Sequence, residues 1–252
     1  MKRFGLIGYP LSHSFSEKYF SEKFKREEIE DCSYELFPLE NIEDVRLLFE
    51  VNKELAGLNV TIPYKESVIQ YLDDLEETAE KIGAVNCIKI DEIQKTGFNT
   101  DHAGFRDSIK SLIKKHHKKA LILGTGGSSK AIAYAIKELG LEYKYVSRTR
   151  KENQFIYEEI TRGVIEEYPV IINCTPVGMF PAIGSFPSIP YQFLTRHNLI
   201  FDLIYNPEKT LMMEKAQEKG AVIKNGLEML KLQAEYAWEI WNRPEENRAA
   251  YP

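Results

Sequence analysis

Three features of the 252-residue sequence predict an α/β fold. From residue 119 onward, short apolar runs alternate with helical patterns, as in a parallel sheet with helices on both faces. A glycine-rich turn, Gly124-Thr125-Gly126-Gly127, sits between one such run and the helical pattern after it. In the first half the apolar run Leu55–Leu58 opens into a polar loop, Asn59-Val60-Thr61-Ile62-Pro63-Tyr64-Lys65. Ligands of open α/β sheets bind outside the carboxyl ends of strands. The length allows one large domain or two smaller ones.

Hydrophobic residues make up 43% of the chain and charged residues 28%, enough apolar material for a packed core. The formal net charge is −5, with no strongly basic half, which argues against nucleic acid as a partner. The densest basic run, residues 114–119, reads as a solvated helix end and turn. The three cysteines, Cys32, Cys87 and Cys174, are far apart and outside any CxxC spacing. Neither a disulfide framework nor a metal centre is expected, and a reducing cytoplasm fits best. The N-terminus is too short in apolar residues for a signal peptide. No run reaches the ~20 apolar residues that span a bilayer.

Taken in order, Phe4–Ile7 reads as a first strand. Ser14-Phe15-Ser16 opens a helix whose Phe15, Tyr19, Phe20 and Phe24 recur at helical spacing. Either serine caps that helix, or the pair donates to a carboxylate at the helix N-terminus. His13 beside them reads as a turn residue. Tyr34–Leu39 alternates as a strand, and residues 42–51 form a helix. The run from Leu55 stops at Pro63, which cannot donate to a sheet ladder. Lys65 is then either a solvated lysine or a cation held in a cleft. Asp73–Ile82 is predicted as an acidic helix. Asn86 is the one polar residue in an apolar strand, so it must be hydrogen-bonded, to backbone or to a ligand hydroxyl. A helix is expected over Phe105–Ile113, with Thr100 or Asp101 as its N-cap.

In the second half, Lys119–Leu123 is a buried strand and Ala131–Leu139 a helix. The glycine turn between them lets backbone N–H groups meet a pyrophosphate, aided by the helix dipole. Its third small position falls on Ser129. The strand Leu141–Val146 ends in Ser147-Arg148-Thr149-Arg150-Lys151, where an NAD-binding fold places an acidic residue for the ribose. Cations and hydroxyls there suit a 2′-phosphate, so NADP is favoured over NAD. Glu152–Thr161 carries a helical pattern, and Gly163-Val164-Ile165 reads as a vestigial strand. Strands follow at Val170–Asn173 and Leu199–Leu203, with a Pro- and Gly-rich loop between them at residues 180–191. A helix at 208–219, a strand at 221–223 and a last amphipathic helix from Leu227 to about Trp241 complete the chain. The charged tail after Pro244 is expected to fray.

Nine separate stretches, in this order, resemble shikimate dehydrogenases. They are Ser14-Phe15-Ser16, Asn59 to Lys65, Gly83-Ala84-Val85-Asn86, Asn99-Thr100-Asp101, Gly124 to Gly127, Ser147-Arg148-Thr149, Asn173 to Met179, Asp202 to Pro207, and Gly226 to Leu230 with Gln233. The resemblance spans residues 5–241 and implies two domains. An N-terminal α/β substrate domain with a mostly parallel sheet, residues 1–100, is completed by the C-terminal helix 226–252. Residues 101–225 form a Rossmann-type NADP-binding domain. The resemblance implies that Ser14 and Ser16 hold the substrate carboxylate. Thr61, Asn86, Asp101 and Gln233 bond ring hydroxyls, and Tyr205 lines the same pocket. Lys65 and Asp101 form the catalytic pair. Gly124, Thr125, Gly126, Gly127 and Ser128 take the pyrophosphate, and Ser147, Arg148, Thr149 and Lys151 the adenosine phosphate. Thr175 belongs to the same cofactor set, and Leu203 and Gly226 border the nicotinamide.

The activity so implied is reversible, NADPH-dependent reduction of 3-dehydroshikimate to shikimate, on the route to chorismate and aromatic amino acids. The expected partner is a small molecule, with no metal, nucleic acid or membrane, in a monomer or homodimer. Two other readings share the scaffold: a catabolic quinate/shikimate dehydrogenase using NAD, and a nucleotide sensor that has lost catalysis. The presence of both Lys65 and Asp101 speaks against the sensor.

Overall fold

The computed structural model describes residues 1–11, 14–92 and 94–244. His13 and the charged tail beyond Pro244 lie outside the described residues. The chain forms two compact units: residues 1–100 with 234–252, and residues 101–233.

The first unit is built on β1 (Lys2–Gly8), α1 (Phe15–Arg26), β2 (Cys32–Pro38), α2 (Val45–Val51), β3 (Leu55–Val60), β4 (Asp74–Leu75), α3 (Glu77–Ile82), β5 (Cys87–Ile90) and β6 (Lys95–Phe98). Its sheet runs β2-β1-β3-β5-β6-β4. The pairs β1–β2, β1–β3 and β4–β6 are parallel, and β5 runs antiparallel to both neighbours. Because β5 opposes β3, the start of β5 lies beside the end of β3.

Phe4 is fully buried on one face, where it stacks on Trp241 at 4.7 Å and meets the edge of Trp238. Trp241 belongs to the last helix, α8 (Leu227–Asn242), whose residues from Ala234 onward count with the first unit. Its indole N–H donates to the Ile88 carbonyl at 2.9 Å. Gly57 leaves room for the ring, since a Cβ there would come within 2.2 Å of the indole nitrogen. Lys23, only 4% exposed, ties α1 to α8 through Glu235 at 2.7 Å, with Glu27 at 3.0 Å as its second carboxylate.

Two expectations for this unit are corrected. The acidic helix over Asp73–Ile82 is only α3. Asp73 instead accepts from the Lys95 backbone N–H, Asp74–Leu75 pairs with β6, and Glu76 caps α3 by accepting from Thr78 and Ala79. These carboxylates satisfy backbone donors at a strand edge and a helix start, work that outranks helix propensity.

The second unit holds α4 (Asp101–Ile109), β7 (Lys119–Leu123), α5 (Gly127–Glu138), β8 (Glu142–Ser147), β9 (Gln154–Ile156), α6 (Arg162–Glu167), β10 (Val170–Asn173), β11 (Leu199–Asp202), α7 (Leu211–Gln217), β12 (Val222–Asn225) and the first turns of α8. All five strand pairs of the sheet are parallel, in the order β12-β11-β10-β7-β8-β9. Read from β9, this is the 3-2-1-4-5-6 order of a dinucleotide-binding sheet, with its switch point between β7 and β10. Apolar side chains on both faces of the sheet, such as Ile122 and Leu121, are fully buried, as a sheet covered on both faces requires.

Here the sequence reading also needs correction. Residues 154–156 are an edge strand rather than part of a helix, and 163–165 lie in α6 rather than a strand. Thr161 accepts from the Val164 N–H and so starts a helix where the glycine had suggested a strand. The helix α4 begins at Asp101, so Asp101 occupies its first turn rather than the N-cap position. The basic run is not fully solvated either. His117 is 6% exposed; its Nδ1 accepts from the Lys114 N–H at 3.1 Å and its Nε2 donates to the His197 carbonyl at 3.1 Å. Both ring nitrogens are thus used by the neutral form, and burial holds the pKa of His117 below its ordinary value.

Two measurements check this packing. Trp241→Ala is expected to destabilise the first unit by about 3–5 kcal/mol in chemical denaturation, the cost of a large buried cavity. His117, favoured neutral in the folded state, contributes stability that is complete above pH ~6.5 and lost as pH falls through its lowered pKa. His117→Gln is therefore expected to flatten the fall in melting midpoint on acidification below that pH, relative to wild type.

Candidate active site

In the first unit the predicted site residues gather at the carboxyl ends of β1 and β3. The Thr61 N–H donates to the Ile7 carbonyl at 2.9 Å, and the Tyr9 N–H to the Ile62 carbonyl at 3.1 Å, so the loop after β3 lies along the end of β1. Gly8 permits this approach, because a Cβ there would meet the Thr61 methyl at 2.4 Å. A tight turn follows, closed by the Tyr64 N–H to the Thr61 carbonyl and held by the buried Tyr64 hydroxyl, which donates to the Leu39 carbonyl at 2.6 Å. Lys65 comes next and is partly exposed. Its carbonyl accepts from the Val85 N–H at 2.7 Å, which draws the start of β5 to the same edge.

Asn86 lies there, 2% exposed. Its Nδ2 donates to the Thr100 hydroxyl at 2.9 Å and its Oδ1 accepts from the Thr100 N–H at 2.6 Å. The sequence left backbone and ligand open as partners of this amide; Thr100 supplies a backbone and a side-chain contact. Ser14 caps α1, accepting from the Glu17 N–H at 3.4 Å, and Ser16 is buried in the first turn. A capping hydroxyl still has its own hydrogen to donate, so Ser14 suits both roles weighed from the sequence. Ser14, Ser16, Thr61, Lys65 and Asn86 thus share one end of one sheet: a helix start that favours anions, two uncharged hydrogen-bonding groups and one cation.

In the second unit the remaining residues lie at the carboxyl edge of the other sheet. Gly124 adopts φ +102°, a left-handed conformation that favours glycine, and its missing Cβ leaves room for Thr175, whose methyl would lie at 3.1 Å. Gly124 ends β7 and Thr175 follows β10, so this contact crosses the switch point. The helix α5 starts at Gly127, a full turn earlier than the sequence suggested. Gly126 and Gly127 are therefore the helix start, and a Cβ on Gly126 would meet nothing within 4 Å. Thr125 and Gly126 are exposed and Ser128 is half-buried. Ser129 fits the third small position because its side chain is buried and its hydroxyl folds back onto the Gly126 carbonyl at 2.6 Å. An open helix N-terminus behind a glycine turn at the switch point fits a pyrophosphate.

At the end of β8, Ser147 donates to the Thr149 carbonyl, and Arg148, Thr149 and Lys151 are exposed. Arg150 instead pairs with Glu159 at 2.6 Å. Asp101 is buried on α4, one turn before Gly104. Gly104 allows α8 to come close, since a Cβ there would lie 2.9 Å from the Met229 carbonyl and 3.1 Å from the Gln233 nitrogen. Gln233, also buried, donates to the Leu230 carbonyl at 2.9 Å. Asp101 and Gln233 thus belong to adjoining faces of two packed helices. Tyr205 is half-buried in the loop after β11. Lys65 belongs to the first unit and Asp101 to the second.

Sequence reasoning overlooked the carboxylate that braces this edge. Asp202 is fully buried and accepts from Thr210 Oγ1 at 2.7 Å, Asn173 Nδ2 at 3.0 Å and the Ile204 N–H at 3.1 Å. Asn173 Oδ1 in turn accepts from Thr175, through its hydroxyl at 2.6 Å and its N–H at 3.0 Å. The loops that carry Thr175, Leu203 and Tyr205 are fastened by this one network. Burial pushes the Asp202 carboxyl up to about 6, against three donors that favour its charged form. Desolvation and the carboxylates of Asp202 and Asp101 push the Cys174 thiol up, so it is no ready nucleophile. The signal was present: an aspartate closing the apolar strand Leu199-Ile200-Phe201.

The fold and this edge define a Rossmann-type dinucleotide-binding unit joined in one chain to a smaller α/β unit. A family model for the shikimate dehydrogenase substrate-binding domain matches residues 6–88. The shikimate dehydrogenase (NADP(+)) of Caldanaerobacter subterraneus subsp. tengcongensis is 35% identical, over 95% of this chain and 91% of its own. Among solved structures, shikimate dehydrogenase from Aquifex aeolicus superposes with a TM-score of 0.85 at 34% identity, covering 96% of this chain and 92% of its own. The Thermus thermophilus enzyme, solved in complex with NADP(H) and shikimate, has a TM-score of 0.85 at 30% identity, covering 96% and 94%. The chain belongs to the shikimate dehydrogenase family. Among the described residues, no three or more His, Cys, Asp or Glu side chains are grouped to hold a metal ion, and no helix is long and apolar enough to cross a membrane.

Gly226, the turn before α8, gives a direct check of the nicotinamide edge. A Cβ there would sit 2.0 Å from the Leu203 carbonyl oxygen, a backbone atom that cannot rotate away. Gly226→Ala is expected to shift the Leu203 loop and raise the KM for NADPH at least tenfold, read from initial rates at fixed substrate.

Proposed function

We propose that this protein catalyses the reversible, NADPH-dependent reduction of 3-dehydroshikimate to shikimate. The observation that carries the proposal is the pairing of one lysine, Lys65, at a strand end lined by Ser14, Ser16, Thr61 and Asn86, with a dinucleotide-binding sheet in the same chain. Relatives of about 35% identity over nearly the whole chain bear the name of this activity.

The chemistry follows from the residues. Ser14 and Ser16, at a helix start, donate to the substrate carboxylate. Thr61, Asn86, Asp101 and Gln233 bond the ring hydroxyls, and Tyr205 lines the ring's pocket. NADPH supplies the hydride when bound. Hydride addition places negative charge on the carbonyl oxygen. The Lys65 ammonium stabilises that charge and gives the oxygen a proton, which solvent later restores. Asp101, as the opposite charge of the catalytic pair, keeps the ammonium oriented. Gly124, Thr125, Gly126, Gly127 and Ser128 take the pyrophosphate. Ser147, Arg148, Thr149 and Lys151 take the 2′-phosphate, and Thr175, Leu203 and Gly226 flank the nicotinamide. Metal-free acid–base catalysis of this kind fits a reducing cytoplasm.

The decisive assay follows NADPH oxidation with 3-dehydroshikimate and, in parallel, 3-dehydroquinate. Turnover is expected with the first, and a clear preference for the second would replace this substrate with its relative. Lys65→Ala is expected to lower kcat by roughly 10²–10⁴-fold with little change in the melting midpoint, the usual span of a lost general acid. Arg148→Ala is expected to raise the KM for NADPH at least tenfold and leave that for NADH unchanged; an equal effect on both would remove Arg148 from the 2′-phosphate.

A further inference from the structure

One buried polar chain in the first unit ends on Ser16 and has no role in the chemistry above. Tyr34, on β2, is 7% exposed, and its ring stacks on Phe20 of α1 at 4.6 Å. Ser16 lies one turn before Phe20 on the same helix, hence on the same face. Its hydroxyl meets the Tyr34 oxygen and offsets part of what burial does to that phenol. On the other side, the Tyr34 hydroxyl donates to Asn59 Oδ1 at 2.8 Å. The orientation of that amide is fixed by its other end, because Nδ2 faces the Asn86 carbonyl at 3.4 Å and needs an acceptor. The Asn86 carbonyl also takes the Val60 N–H at 2.8 Å, and the Asn86 side chain is committed to Thr100. The chain Ser16–Tyr34–Asn59–Asn86 thus runs under the sheet end from the helix start to the hydroxyl-binding amide. Asn59 and Asn86 are 4% and 2% exposed, so water does not stand in for a lost partner.

A lone serine hydroxyl has three staggered positions for its oxygen, and in two of them it would point away from an anion at the helix start. A fixed neighbour selects one. We propose that Tyr34 is a positioning residue for substrate, holding the Ser16 oxygen in the rotamer that binds the carboxylate, with Asn59 holding Tyr34. When an anion takes the Ser16 hydrogen, the Ser16 oxygen stays seated against the phenol and accepts from it. The inference rests on the reading of Ser16 as a carboxylate ligand.

Loss of one rotamer choice, and of a donor that polarises the serine, corresponds to about a threefold to tenfold change in binding. Tyr34→Phe keeps the ring stack and removes only the hydroxyl. It is expected to raise the KM for 3-dehydroshikimate by that factor, with kcat and the KM for NADPH unchanged. A merely structural role would lower the melting midpoint without this split. In a Ser16→Ala background, Tyr34→Phe is expected to add nothing to the KM that Ser16→Ala already produces. If Tyr34→Phe leaves the KM unaltered, or multiplies the Ser16→Ala effect by its own factor, the inference is overturned and the carboxylate reading stands. If Ser16→Ala itself leaves the KM unaltered, that reading falls and the inference with it. Should Tyr34→Phe not fold, Asn59→Ala, which frees the phenol to turn, is judged by the same pair of backgrounds and the same outcomes.

Discussion

The first unit depends on one buried amide. Asn86 uses both ends of its side chain on Thr100 and its carbonyl on Val60, so three separate stretches of chain meet at one residue. A buried amide left unpaired would cost about 1–3 kcal/mol for each stranded group, which makes the arrangement closely specified rather than one of several. From it follow the positions of Thr61 and Lys65, because the start of β5 is drawn to the turn after β3. The antiparallel insertion of β5 beside β3 brings Asn86 to the sheet end where the helix start also lies.

The second unit solves a similar problem with a charge. Its strands all end at one edge, and the loops there must be firm enough to flank a planar ring yet leave the glycine turn open. Asp202 and Asn173 supply the firmness, joining the ends of β10 and β11 through side chains rather than through the ladder. Thr175 is bound to that network and also packs beside Gly124, so the brace reaches across the switch point. The carboxylate retains three donors despite complete burial, which is how a buried charge is tolerated without a counter-ion.

Legibility in the sequence varied with how local the determining physics was. The strand–glycine–helix motif was readable because each part is set within a few residues: the apolar strand, the positive φ, the helix start. Ser14 as a cap was readable for the same reason. The stretch 152–167 was misread because its charged residues have helix propensity, while Gln154-Phe155-Ile156 is decided by an unfilled sheet edge beside β8. Short apolar runs carry no period that separates the two. His117 was misread because nothing near it in sequence reveals that the His197 carbonyl, eighty residues away, covers one of its nitrogens.

By itself the sequence determined the α/β class, the cationic end of β8 that favours NADP, and the set of residues that resemble a shikimate dehydrogenase site. These rest on patterns of apolar residues and on motifs whose members are near neighbours in the chain. Only the tertiary structure decided that Tyr34 and Asn59 stand behind Ser16, and that Asp202 braces Thr175. Both arrangements join side chains on different strands or helices, and the hydrogen bonds that make them depend on burial, which no stretch of sequence carries alone.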